Sequence, residues 1–64
     1  MDKPELEELR EYRRHLADEI GNYNREAIEW SKRGDILCAM ATGSYAGLLK
    51  KQLKLFDSLF PELK

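Results

Sequence analysis

The chain has 64 residues, 36% charged and 42% hydrophobic, with a formal net charge of −1. That size is near the lower limit for a self-sufficient core, so a single domain over residues 1–64 is expected, completed by a disulfide, a metal or further copies of the chain. One cysteine, Cys38, and one histidine, His15, exclude an intrachain disulfide and a His/Cys metal cluster, and the near-zero charge gives no global attraction for nucleic acid.

The first stretch is charge-rich and helical. Asp2 and Glu5 have the spacing of a capping box, and Pro4 is tolerated in a first turn, where its missing N–H has no helical partner. A helix is predicted from about residue 4 to about 33. Its opening, DKPELEELREYRR, has no apolar run, so no secretory signal is expected. Leu6, Leu9, Arg13, Leu16, Ile20, Tyr23, Ala27 and Trp30 fall at alternating spacings of three and four, the a and d positions of a heptad. Gly21-Asn22 is a turn signal, yet the heptad phase crosses it without a skip, which predicts one continuous helix. Glu7 with Arg10, Glu11 with Arg14 and Glu29 with Arg33 are spaced to support it.

Lys32-Arg33-Gly34-Asp35 is the strongest punctuation. Basic residues suit a helix C-terminus, Gly34 can adopt the left-handed conformation that ends a helix, and Asp35 can cap the next one. A turn at about 33–35 therefore makes the two helices antiparallel neighbours. The Arg-Gly-Asp triplet is accounted for by this stop and start and is not assigned to integrin binding.

The second helix is predicted from about residue 36 to 59 or 60, ended by Pro61, with the last residues fraying or turning. It begins with ILCAMATGSYAGLL, residues 36–49, which has no charge and is too short for the roughly 20 residues of a membrane span. Ala39, Thr42, Ala46, Leu49, Leu53, Phe56, Phe60 and Leu63 form an a/d seam. Cys38, Ala41, Tyr45, Leu48, Gln52, Leu55 and Leu59 form a parallel seam at g and c. Together they make an apolar arc wider than one neighbouring helix covers.

Folding the chain at Gly34 sets facing positions at numbers summing to about 69. Trp30 then meets Ala39, Tyr23 meets Ala46, Ile20 meets Leu49 and Leu16 meets Leu53, with bulky rings over small residues near the turn. Arg13 is expected to stack over Phe56. Ala39, Gly43 and Gly47 form a small-residue ridge that either admits another helix or accommodates Trp30 and Tyr23. The second seam is left unsatisfied, so the predicted fold is all-α: an antiparallel two-helix hairpin that homodimerises into a four-helix arrangement. Its interface is Tyr45, Leu48, Gln52, Leu55 and Leu59, with the second helices central.

Catalytic signatures are absent: no phosphate-binding loop, no CxxC, no HExxH and no Ser/His/Asp set occurs. No enzyme activity, cofactor or metal is expected. Cys38, on an apolar seam, is expected to act as a small hydrophobe in a reducing cytoplasm. Basic residues offer candidate contacts for a partner or nucleic acid: Arg10 and Arg14 on the first helix, Lys50, Lys51 and Lys54 on the second. Glu7, Glu8 and Glu11 dilute the arginines, whereas the lysines are less diluted. An alternative reads residues 36–54 as a helix-turn-helix, with Gly43 in the turn and Tyr45, Lys50, Lys51 and Lys54 facing DNA.

In architecture, the predicted dimer of helical hairpins resembles the Rop family of plasmid copy-number regulators, which bind paired RNA loops through one face of their bundle. The resemblance lies in the plan alone, and no RNA-contacting position carries over to this chain. The expected function is that of a small non-enzymatic regulator or adaptor, cytoplasmic and acting through protein–protein contacts. Phage, plasmid or bacterial accessory factors are often of this size. The alternative is a DNA- or RNA-binding regulator.

Overall fold

The computed structural model describes residues 3–63. Two α-helices, α1 (Lys3–Lys32) and α2 (Ile36–Leu59), pack antiparallel as a hairpin 48 Å long, and a short 3-10 turn (Pro61–Leu63) follows. The proposed cap at Asp2 lies outside the described residues.

Helix α1 passes unbroken through Gly21. Glycine costs about 1 kcal/mol there relative to alanine, and the apolar seam on both sides outweighs that cost. Helix α1 ends in a Schellman motif. The Asp35 N–H donates to the Trp30 carbonyl and the Gly34 N–H to the Ser31 carbonyl, both at 3.0 Å. Gly34 has φ +83°, among the described residues the sole positive φ, which is why glycine belongs at this step. Asp35 then caps α2, its Oδ1 accepting from the Cys38 N–H at 3.1 Å.

The core lies where the a/d seams meet. Leu16, Ile20 and Leu49 form a buried cluster, with Tyr23 and Leu53 packed against it. Ala46 is almost fully buried, and Gly43 lies close to Ala27: a Cβ added there would sit 4.0 Å from the Ala27 Cβ. The small-residue ridge thus serves the hairpin at Gly43, while a Cβ added at Gly47 would meet no atom of α1 within 4 Å among the described residues. Tyr23 and Tyr45 meet edge to face at 4.7 Å, close to the predicted register.

The structure corrects two expectations. Arg13 does not stack over Phe56. It makes a two-point ion pair with Asp57, and Tyr12 packs against the Phe56 ring instead, at 5.6 Å. A carboxylate matching the guanidinium fork holds Arg13 more firmly than a ring face does. The helix-turn-helix over 36–54 does not form, because α2 runs unbroken through Gly43. Its continuous a/d seam against α1 holds that glycine in helical geometry. Helix α2 ends at Leu59, within the predicted bounds. Phe60 is the cap residue, and the Pro61–Leu63 turn folds back so that Leu63 is buried.

The surface pairs are also redistributed. Glu11 pairs with Arg14 as expected, but Glu29 pairs with Lys32 rather than Arg33, whose guanidinium lies 5.2 Å from the Trp30 ring centre. His15 lies 3.6 Å from Glu11.

Candidate interaction surface

The hairpin buries one side of α2 and leaves another uncovered. Because g and c positions lie beside the a/d seam, helix geometry places Tyr45, Leu48, Gln52, Leu55 and Leu59 on one strip flanking the contact with α1. All five are exposed, Tyr45 at 44%, Leu48 at 59%, Leu55 at 62% and Leu59 at 65%. Leucines exposed singly are ordinary, but an aligned strip is a feature that proteins rarely leave in water.

The border on the α1 side is defined by specific contacts. Tyr12, Gln52, Leu55, Phe56 and Leu59 line one shallow groove, and Tyr12, His15, Glu19, Tyr45 and Gln52 contribute to a second. Glu19 and Glu26, four residues before and three after Tyr23 on α1, stand close enough to that ring to be felt electrostatically. Burial, with Tyr45, Glu19 and Glu26 adding to it, holds the Tyr23 phenol above its ordinary range. This border is therefore acidic and aromatic.

The other border of the strip belongs to α2. Lys51 stands three residues after Leu48 and four before Leu55, so it flanks both on the helix surface. Lys50 and Lys54 are exposed like Lys51, and among the described residues none of the three has an ion-pair partner. Of the basic candidates on α1, Arg14 is paired with Glu11 and Arg10 is exposed. The five basic residues are not gathered into one patch: Lys51 borders the apolar strip, and by heptad position Lys50 lies on the side of α2 that carries Asp57.

At the turn the apolar surface spreads round α2. Ile36, Leu37 and Met40 are all exposed, Leu37 at 81%, and Ile28 of α1 is exposed at the same end. The uncharged run from 36 to 49 contained that signal, because a helix with no charge on any face cannot hide all of it against one neighbour. Tyr12 is a further residue the heptad did not single out. It sits beside Arg13, one position off the seam, and gains its place by packing on Phe56.

Cys38 is half-buried near the turn. The hydrogen bond with Asp35, then burial and the Asp35 charge, push its thiol above the ordinary range, so it is a poor nucleophile at neutral pH. Among the described residues no group of His, Cys, Asp and Glu is arranged to hold a metal ion, and no helix is long and apolar enough to cross a membrane.

Comparison with protein families, curated proteins and solved structures gives no match to this chain.

Proposed function

We propose that the chain is a small non-enzymatic regulatory or adaptor protein that works as a homodimer in the cytoplasm and presents its charged helix faces to a protein partner. One observation carries this reading: the strip of Tyr45, Leu48, Gln52, Leu55 and Leu59 is apolar apart from one amide and stands uncovered in the hairpin. Covering a leucine completely contributes about 1.5–3 kcal/mol, so pairing two such strips supplies what a hairpin of this size lacks. A four-helix arrangement with α2 central covers them and leaves the polar side of α1 outside. A phage, plasmid or bacterial accessory role fits a protein of this size.

The second reading is a nucleic-acid binder, favoured by the exposed Lys50, Lys51 and Lys54, which a dimer would double. With α2 continuous, it rests on the lysines alone. Light scattering and circular dichroism on reduced protein across a dilution series test the dimer: helicity that falls as the dimer dissociates supports it, and a stable helical monomer at every concentration overturns it. Titration with DNA and RNA at low and physiological salt separates the two readings. A phosphate binder loses affinity steeply as salt rises, whereas an adaptor shows little binding at either.

A further inference from the structure

The apolar strip has two borders of opposite charge. On the α1 side Glu19 lines a groove together with Tyr45 and Gln52, while Lys51 occupies the α2 side with no ion-pair partner among the described residues. In the register of the hairpin, fixed by Tyr23 against Tyr45 and Arg13 against Asp57, Glu19 and Lys51 lie at nearly the same height. A twofold axis between two such strips has two natural directions. Set across the helices at the middle of the strip, it lays α1 over α1 and puts Glu19 against its own copy. Set along the helices, it lays the Glu19 border of each chain over the Lys51 border of the other. Like charges in apposition are unfavourable and opposite charges fix register, so the borders select the second direction.

Gln52 argues the same way. It is the one amide in the strip. With the two α2 helices parallel it meets its own copy, and two amides can each donate and accept. With α2 antiparallel, g positions face c positions, so Gln52 stands opposite Leu48 or Leu55 and is offset along the helix from its own copy.

We propose that the occupant of the strip is a second copy of this chain docked with its α2 parallel, Glu19 of each copy facing Lys51 of the other and the two Gln52 side chains meeting at the axis. This deepens the homodimer reading and rests on it. It places the two Cys38 side chains near each other at the turn end, whereas the antiparallel dimer separates them by most of the length of α2.

The test measures dimer strength by light scattering, and geometry by diamide oxidation at raised pH, where more of the Cys38 thiol is ionised, followed by non-reducing electrophoresis. The expected result is a dimer that cross-links through Cys38, with no cross-link in C38S. Glu19→Lys and Lys51→Glu are each expected to raise the dissociation constant about tenfold, and the double variant to recover most of the loss. These positions are exposed, so the variants keep the hairpin, and circular dichroism at high protein concentration verifies it. A wild-type dimer that resists cross-linking and is tightened by E19K overturns the parallel arrangement and leaves the homodimer reading standing. A wild-type chain monomeric at every concentration overturns both.

Discussion

Arg13 grips Asp57 across 44 positions of sequence, its Nε donating to Oδ1 at 2.7 Å and its Nη2 to Oδ2 at 3.1 Å. The pair sits towards the open end of the hairpin, far from the turn that joins the helices. The hydrogen bond and charge of Asp57 hold the Arg13 guanidinium protonated more firmly than usual, against the opposing effect of burial. A residue that interrupts the apolar seam of α1 is thereby turned into a link between the helices.

Removing that link should be felt more than removing an ordinary surface pair. Asp57→Asn is expected to lower the thermal midpoint, measured by circular dichroism, with the difference shrinking at high salt. Arg14→Ala, which breaks the exposed pair with Glu11, should leave the midpoint nearly unchanged. Equal effects from the two variants would show that the Arg13 pair does not join the helices.

The proposed covering of the apolar strip by a second copy predicts a severe phenotype from two surface substitutions. Leu48→Glu with Leu55→Glu leaves the a/d core of the hairpin untouched and should give monomeric, largely unfolded protein. Light scattering and circular dichroism on the same sample check it. A well-folded monomer would show that the hairpin does not depend on a second copy.

Two glycines should respond to alanine with opposite signs. Gly34 holds φ +83°, so Gly34→Ala is expected to cost about 1 kcal/mol. Gly21 lies exposed inside α1 with nothing within 4 Å of an added Cβ, so Gly21→Ala should stabilise by about 0.5–1 kcal/mol. Urea denaturation at one protein concentration reads both. A loss at Gly21 would point to a strained backbone there.

The Cys38 thiol offers a test through pH. Because Asp35 and burial raise its pKa in the folded chain, alkylation should follow a profile displaced to higher pH than a free thiol, and Asp35→Asn, which keeps a capping side chain, should move it back down. For stability the sign follows from linkage. The folded state holds this proton more tightly than the unfolded state, so the contribution is complete below the ordinary thiol range and declines as pH rises through it. Superimposable profiles for the two proteins would remove Asp35 as the cause.

Much of the fold follows from local pattern. The seam of α1, the stop at Gly34 and the start at Asp35 are each set by residues within a few positions of one another, through periodicity, a left-handed step and a cap. The two-helix hairpin follows because so short a link leaves the helices no other neighbour. The uncovered strip on α2 was also legible, since an apolar arc wider than one partner helix must leave some of its members outside.

Tertiary structure alone decided which long-range partners win. Arg13 had two neighbours within reach, a ring and a carboxylate, and the sequence could not rank them. Packing brought Asp57 into two-point contact and left the Phe56 ring to Tyr12. Gly43 admitted a helix-turn-helix as the alternative to the continuous helix that the heptad predicted, and α2 is helical there, with contact to α1 outweighing a preference worth about 1 kcal/mol. Leu63 lies beyond the helix end, and its burial depends on Pro61 turning the chain back. Periodicity and caps act between residues near in sequence and can be read from it. The choice between competing distant contacts is set by three-dimensional distance, which only the packed hairpin defines.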